Sequence, residues 1–154
     1  MDFASYISGL VDGEGCFSVS FNFREKLKLK IEVRPSFSIS QNKRNLSILK
    51  EVKEFFGCGS IRFSKKDQTY KYEVRSISDL KKRIIPHFEE FPLKTTKNKD
   101  FKEFSEICTF IFETKHRNKV YLENIIERAY EMNESGKRKY QKAKLLSVLD
   151  KMKI

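Results

Sequence analysis

Two carboxylates lie two residues apart near the start of the chain, the second of them between two glycines, in Asp12-Gly13-Glu14-Gly15. Histidine and cysteine, the other common catalytic and metal-binding residues, are scarce. The chain has two histidines, His87 and His116, which is too few for a His-based metal cluster. Its three widely spaced cysteines include no C-x-x-C pair, so neither a disulfide framework nor a zinc site is indicated. Any chemistry in this protein is therefore expected to rest on carboxylates.

The charge balance favours an anionic polymer as partner. Thirty-two Lys and Arg residues against 21 Asp and Glu give a formal net charge of +11. A positive field of this kind attracts nucleic acid. Ribosome-associated proteins, membrane-surface proteins and plain cationic domains share the same balance, so charge alone leaves these classes open.

The segment that carries the two acids is predicted to be a helix followed by a strand. From Asp2 to Asp12, apolar residues recur at helical spacing, and Asp2 is suited to cap the helix. Gly13 and Gly15 are expected to end it and to let the backbone turn closely. From Cys16 to Arg24, apolar and polar residues alternate, which predicts a strand with one buried and one polar face.

The rest of the chain predicts one α+β domain over residues 1–154, with a four-stranded, mainly antiparallel sheet and helices packed on one face. The expected elements are a strand over Leu27–Ser40 interrupted at Pro35, a helix over Asn45–Phe56, a hairpin of Gly59–Ser64 and Tyr70–Arg75, a helix from a Ser78 cap to Phe91 bent at Pro86, and helices over Lys99–Thr114, Lys119–Met132 and Lys137–Lys151.

The stretch Ile7 to Gly15, ISGLVDGEG, resembles the nine-residue motif of the LAGLIDADG homing endonucleases, with four of nine letters identical. The resemblance implies an αββαββα fold in which the motif helix packs against its twin. It implies that the last acidic position, here Glu14, binds the divalent metal beside the carbonyl of Gly13. The residues that it places at the dimer interface are Ser8, Gly9, Asp12 and Gly13. For Asp12, assisting the metal, capping a neighbouring backbone and holding the helix end all remain open.

Two further positions match the family's polar site residues. Gln41 closes the second strand, where the resemblance implies a residue that positions water. Lys97 lies in the connection after the second strand pair, where a lysine is expected to stabilise charge on the phosphate. Lys94 and Lys99 lie close to it in the sequence, so the choice among the three lysines stays open.

The function implied by the resemblance is site-specific hydrolysis of double-stranded DNA. Mg²⁺ is the expected cofactor, with Mn²⁺ as a substitute and Ca²⁺ supporting binding without cleavage. Because the chain has a single motif, it is expected to work as a homodimer on a long site of approximate two-fold symmetry.

The DNA-reading residues are expected on the outward face of the sheet, where Arg, Lys, Asn, Gln and Glu suit base recognition. The first strand pair supplies Ser18, Ser20, Asn22, Arg24, Lys28, Lys30, Glu32, Arg34 and Ser38. The second supplies Arg62, Ser64, Lys66, Gln68, Lys71, Glu73 and Arg75.

Three alternatives explain part of the same sequence. An RNA maturase acting on intron RNA or a DNA-binding protein that does not cut would also use a basic sheet. A structural protein of a ribonucleoprotein particle explains the charge but gives the acidic helix end no purpose. No apolar run long enough for a membrane span and no secretory signal is evident, so a reducing intracellular setting is expected, either an organelle (mitochondrion or chloroplast) or a bacterial cytoplasm.

Overall fold

The structure, a computed structural model, describes residues 2–133 and 138–152. The elements of the first half are α1 (Phe3–Glu14), β1 (Gly15–Phe23), β2 (Ile31–Asn42), α2 (Leu46–Phe56), β3 (Ser60–Ser64) and β4 (Thr69–Val74). Those of the second half are α3 (Ile77–Asp79), a π-helix (Leu80–Ile84), α4 (Ile85–Glu90), α5 (Lys97–Phe112), α6 (Lys119–Tyr130) and α7 (Lys142–Asp150).

The strands form one four-stranded sheet in the order β1-β2-β4-β3. β2 and β4 pair antiparallel, with Phe37 opposite Val74, and β3 and β4 pair antiparallel, with Ser60 opposite Glu73. The predicted fold class, α+β with an antiparallel four-stranded sheet, is thereby confirmed.

The second strand begins four residues later than its alternation predicts. Residues 25–30 form turns, in which Leu27 N–H donates to the Arg24 carbonyl and Lys30 N–H to the Leu27 carbonyl. Lys30 has a φ of 64°, which a strand does not allow. Lys28 and Lys30 are therefore turn residues. Pro35 does not interrupt β2, which continues through it to Asn42.

By its contacts the chain divides into two compact units, the first comprising Met1–Phe17 and Ser36–Asn98. An aromatic cluster forms its core. Phe17 lies 5.2 Å from Phe37 and 5.5 Å from Phe88 between ring centroids, all three side chains being fully buried. Ile7 and Val11 of α1 are also fully buried, so the inward stripe of that helix belongs to the same unit's core.

The helical run after β4 differs from its prediction at both its start and its middle. Its cap is Ser76, whose hydroxyl accepts from Asp79 N–H, in place of the predicted Ser78. Leu80–Ile84 is a π-helix ahead of Pro86. Proline has no N–H for the carbonyl four residues earlier, and a widened turn relieves that mismatch.

The second unit comprises Ser18–Pro35 and Lys99–Ile154. Val19 is fully buried in it, and the ring of Phe21 stacks on Tyr130 at 6.1 Å. Arg138 donates hydrogen bonds to the carbonyls of Val19 and Ala129, so this side chain is used within the fold. The last predicted helix begins at Lys142; its predicted start, Lys137, lies outside the described residues. Within the described ranges, no helix is long and apolar enough to span a bilayer.

Candidate active site and nucleic-acid interface

The end of α1 fixes the position of the predicted catalytic carboxylate. The helix starts with Asp2, whose side chain accepts a hydrogen bond from Ala4 N at 3.2 Å. It continues to Glu14, two residues beyond its predicted end, and Gly15 closes it by donating its N–H to the Val11 carbonyl. A Cβ at position 15 would lie 2.6 Å from Val11 Cγ1, so close contact requires glycine here. Glu14 is therefore the last helical residue before β1.

Glu14 is exposed, and so is Gly13 beside it. Within the described residues, the Glu14 carboxylate takes part in no hydrogen bond or ion pair. Backbone carbonyls give the C-terminal end of a helix a partial negative charge, to which this carboxylate adds a full one. Hard divalent cations prefer such oxygen ligands. The Glu14 carboxylate and the Gly13 carbonyl therefore fit a divalent cation by donor type.

One chain supplies only part of a metal site. Among the described residues, no three His, Cys, Asp or Glu side chains come together where they would hold a metal ion. The neighbouring acid, Asp12, has both of its oxygens occupied by its own chain. A site built on Glu14 therefore needs further ligands from water, substrate or a second molecule.

Asp12 holds the segment that precedes α5 against the end of α1. Its Oδ2 accepts the N–H of Lys94 at 2.8 Å, and its Oδ1 accepts the N–H and the hydroxyl of Thr95 at 3.1 and 2.7 Å. Burial raises the pKa of Asp12, but the bonds from Lys94 and Thr95 and the charge of Lys97 outweigh it, so the pKa is lowered. Asp12 therefore stays ionised at neutral pH, and its contacts within the subunit are those of a residue that holds the helix end.

Lys97 is the first residue of α5, and its ammonium group lies at the end of α1. Its Nζ donates to the carbonyl of Val11 at 2.9 Å and to that of Gly15 at 2.6 Å. Lys94 and Lys99, the other two candidates, are exposed. Of the three lysines that the sequence left open, Lys97 is thus the one that forms hydrogen bonds to both carbonyls at the motif helix end.

Gln41 lies near the end of β2, opposite Tyr70 on β4. Its side-chain oxygen accepts a weak hydrogen bond from Asn45 at 3.4 Å. In the described part of the chain, none of its hydrogen bonds reaches α1. The structure therefore brings Asp12 and Lys97 to the motif helix end, and Gln41 is held by its own strand end.

The outward face of α1 is open at its two inner glycines. A Cβ added at Gly9 or at Gly13 would meet no atom of the described chain within 4 Å. Tyr6, one turn earlier, is 38% exposed. Because the glycines stand four apart on a helix, they leave one flat strip of backbone. Such a strip lets a second helix approach closely.

Ser8 does not belong to that strip, which corrects the expectation that its side chain faces the dimer interface. Its side chain is only 6% exposed. Its hydroxyl group donates a hydrogen bond to the Phe91 carbonyl at 2.6 Å and lies 3.2 Å from His87 Nε2. Burial lowers the pKa of His87, which keeps the ring neutral at pH 7. The small size of Ser8 therefore serves packing inside the subunit.

On β1 the predicted alternation is confirmed. Val19 and Phe21 are buried, whereas Ser18, Ser20 and Asn22 are exposed or half-buried. Beside them Arg24 pairs with Glu32 at 2.8 Å, and Glu32 also lies 3.9 Å from Arg34. Two predicted readers lie in the turn that follows, where Lys28 is exposed and Lys30 donates to the Glu25 carbonyl.

The second strand pair carries a row of accessible polar side chains, as predicted. They are Arg62, Ser64, Lys66, Gln68, Lys71 and Arg75. Ser38 and Glu73, expected to be outward readers, are only 8% and 7% exposed. β2 and β4 are the inner strands of the sheet, and long side chains such as Arg62, which contacts Glu73, cover the shorter ones there. Glu73 is therefore buried under basic side chains, and Ser38 is buried opposite it on β2.

Two residues of these sites escaped sequence reasoning. Thr95 bonds to Asp12 across 83 positions, and Ser36 bonds to Glu73 across 37. No local sequence pattern around either residue predicts its distant partner. The sequence shows only that Thr95 stands two residues ahead of Lys97, a spacing at which its hydroxyl accepts the Lys97 N–H at 3.2 Å.

Comparison with known sequences gives a family and named relatives. The sequence model of the LAGLIDADG endonuclease family matches residues 7–108. The homing endonuclease I-ApeII of Aeropyrum pernix is 29% identical over 148 residues, which are 94% of this chain and 86% of that protein. The probable intron-encoded endonuclease 2 of Neurospora crassa is 31% identical over 130 residues, which are 84% of this chain but 29% of that protein. This chain thus spans most of the first relative and under a third of the second.

Solved structures of similar fold include two proteins of matching length. The homing endonuclease I-TnaI is 37% identical with a TM-score of 0.83, and 96% of this chain and 95% of that chain are covered. The archaeal intron-encoded homing endonuclease I-Vdi141I, complexed with DNA, is 30% identical with a TM-score of 0.89 and coverages of 97% and 95%. I-SmaMI, bound to uncleaved DNA in the presence of calcium ions, is 28% identical with a TM-score of 0.85; the match covers 96% of this chain and 49% of that one.

Proposed function

The chain belongs to the LAGLIDADG endonuclease family, and from that membership we propose that it cuts double-stranded DNA at a specific site as a homodimer with a divalent metal ion. The observation that carries the proposal is the free, exposed Glu14 carboxylate at the end of a helix whose outward glycine strip is open.

The homodimer follows from what one chain lacks. The chain has one copy of the motif and, in its described part, no cluster of metal-binding side chains. Two copies of α1 packed through Gly9 and Gly13 bring together two Glu14 residues, each ending its helix. Adjacent carboxylates of this kind suit one or more hard cations between two strands of DNA.

Each residue has a distinct task in the proposed hydrolysis. Glu14 and the Gly13 carbonyl hold the metal, and Mg²⁺ is the proposed ion, with Mn²⁺ as a substitute and Ca²⁺ as a support for binding alone. When bound, such an ion lowers the pKa of water and stabilises charge on the phosphate and the leaving 3′-oxygen. Gln41 orients the attacking water.

Lys97 supplies positive charge at the same helix end. Its ammonium bonds to the carbonyls of Val11 and Gly15, which orients it without neutralising it. A preorganised cation needs little rearrangement as negative charge develops on the phosphate. Asp12, whose oxygens are occupied, contributes by keeping the segment that carries Lys97 in place.

Duplex DNA is the proposed ligand of the exposed polar side chains on both strand pairs. Arginine and lysine contact phosphates and guanine, and asparagine and glutamine suit adenine. A two-fold protein requires a site of approximate two-fold symmetry, which is expected to span about two helical turns.

The setting of the gene is part of the proposal. Several relatives are named as intron-encoded endonucleases. We therefore place the gene of this chain in an intron of an organelle or a bacterial genome, and the protein in a reducing compartment. Binding of its intron RNA is the second activity to test, because the same basic residues attract any nucleic acid.

The experiment that tests the function is cleavage of a library of long random duplexes. Wild type and Glu14→Gln are incubated with the library in Mg²⁺, in Ca²⁺ and without divalent ions, and cut ends are sequenced. We expect the wild type to cut one long, nearly symmetric sequence in Mg²⁺ but not in Ca²⁺ or without divalent ions. Glu14→Gln is expected to bind that sequence without cutting it.

Binding to duplexes without cutting in any metal would contradict the proposal and favour a DNA-binding protein. Preference for structured intron RNA over every duplex would favour the maturase. Glu51→Gln provides the matched control, because Glu51 is exposed on α2 and makes no contact with the proposed site.

A further inference from the structure

Glu73 on β4 lies at the centre of a cluster of charged side chains within the first unit. Its Oε2 accepts the hydroxyl of Ser36 at 2.7 Å, and its Oε1 accepts Arg62 Nη2 at 2.8 Å. Lys71 Nζ lies 3.9 Å from Oε2, and Arg75 Nε lies 3.7 Å from Oε1. These five residues are called the Glu73 cluster below.

The cluster is layered, with the acid below and the cations above. The side chain of Glu73 is 7% exposed, whereas those of Arg62, Lys71 and Arg75 are 61%, 43% and 51% exposed. Burial raises the pKa of Glu73, but the Ser36 hydroxyl and the three cations outweigh it, so the pKa is lowered. One negative charge thus faces three positive ones, and the surplus points to solvent.

The arrangement solves a local conflict in the sheet. Arg62 and Lys71 are direct cross-strand partners, and like charges in such pairs repel. Glu73 is diagonal to Arg62 and two residues from Lys71, so it attracts both. An exposed ion pair contributes little to stability, but a buried carboxylate with two hydrogen-bond donors and two further cations within 4 Å restricts where those groups point.

We propose that Glu73 is a positioning residue that holds Arg62, Lys71 and Arg75 as a fixed array for the major groove, and that DNA specificity depends on it. The inference rests on the proposed DNA endonuclease function. Glu73 does not read a base, since its oxygens are taken by Ser36 and the cations. The array it holds presents guanidinium groups whose directions decide which guanine acceptors they reach.

The variant Glu73→Gln tests positioning, because the loss of charge and the loss of the anchor are expected to change DNA affinity in opposite directions. It removes one negative charge from a basic surface, so affinity for an unrelated duplex is expected to rise slightly, by about twofold to threefold. The three cations lose their common anchor, so affinity for the target recovered from the library falls. The ratio of specific to non-specific affinity is expected to drop about tenfold, the size of one lost base contact.

The measurement is fluorescence anisotropy of wild type and variants on two duplexes of equal length, the recovered target and an unrelated sequence, in Ca²⁺ at fixed salt. Glu103→Gln is the matched control. Glu103 lies on α5, and its substitution makes the same charge change and breaks an ion pair with Arg128 at 3.1 Å. Ser36→Ala keeps every charge and removes one bond to Glu73; it is expected to lower the ratio about twofold to threefold with non-specific affinity unchanged.

The outcomes are distinct. A Glu73→Gln ratio equal to that of Glu103→Gln would overturn the inference, because the effect would then be charge alone. If Glu73→Gln does not fold, Ser36→Ala decides, and an unchanged ratio there would also overturn it. A wild type that prefers no duplex would overturn the proposed function and this inference together, whereas a wild-type preference kept by both variants would overturn this inference only.

Discussion

The end of α1 and the Glu73 cluster treat their charged groups in opposite ways. At the end of α1 both Lys97 and Asp12 form hydrogen bonds to backbone groups. Of the three charged side chains there, Glu14 is the one that has no partner among the described residues. In the Glu73 cluster the acid is buried, and the three more exposed cations that pair with it leave a net positive charge at the surface. One region therefore offers negative charge and the other positive charge.

The comparison shows that the ligand of each region is indicated by the charge that remains after its internal ion pairs and hydrogen bonds are counted, and not by the total charge of the chain. A free carboxylate at a helix C-terminus suits a divalent cation. A layer of cations above a buried carboxylate suits the phosphates and guanines of DNA. The two regions together are what a metal-dependent nuclease requires.

The largest effect that sharpens the comparison is salt dependence of binding. If the exposed cations of the sheet, including the surplus at the Glu73 cluster, contact phosphates in both subunits, affinity for the target duplex is expected to fall about 10³-fold between 50 and 200 mM monovalent salt, because each contact releases counterions. Fluorescence anisotropy in Ca²⁺ at several salt concentrations measures the slope. An affinity that changes less than about threefold over this range would mean that the exposed cations of the sheet do not face DNA.

The open glycine strip gives the second prediction. Gly9→Leu places a large side chain where the twin helix is expected to lie, and overpacking of about 3 kcal/mol would raise the dimer dissociation constant about 100-fold. Sedimentation velocity gives the oligomeric state. Ser47→Leu, at an exposed position of α2, is the control and should remain dimeric. A dimeric Gly9→Leu protein would place the interface elsewhere.

The smallest effect concerns Asp12, whose bonds are structural. Asp12→Asn replaces an oxygen that accepts backbone N–H groups with a donor, so stability is expected to fall by about 1 to 2 kcal/mol. Because the folded-state pKa of Asp12 is lowered from 3.8, its contribution is present above that value and is lost as pH falls through the folded pKa.

Urea unfolding of wild type and Asp12→Asn at pH 7 and at pH 2.5 checks both points. The variant should be less stable at pH 7, and the gap should narrow at the lower pH, where Asp12 of the unfolded chain is protonated. A gap of the same size at both pH values would show that the ionised carboxylate is not what matters.

The sequence predicted elements well where the signal was local. Periodicity gave α1 and the alternation of β1, and the motif pointed to Glu14 at the end of that helix. The capping of α1 by Asp2 likewise follows from residues close in sequence. Here one element's own residues decide its structure.

Alternation was misleading where a local turn or distant residues decide the structure. Alternation continued from Leu27 into β2, yet the hydrogen bonds of a turn removed residues 25–30 from the strand. Glu73 and Ser38 had the outward parity expected of readers, but neighbouring strands cover them. Ser8 matched the small residues of the motif and yet bonds to His87, 79 positions away. Alternation along a strand predicts the side of the sheet on which a side chain lies. Whether that side chain is exposed is decided by tertiary contacts.

The most direct test of the comparison is the single-turnover rate at which Glu14→Gln cuts the recovered target in Mg²⁺, beside wild type and Glu51→Gln. Loss of the one free carboxylate at the end of α1 is expected to slow cleavage about 10³-fold, or about 4 kcal/mol, while target affinity in Ca²⁺ stays within about tenfold of wild type. Glu51→Gln should cut at the wild-type rate. Cleavage by Glu14→Gln at that same rate would contradict the assignment of this helix end as the metal site.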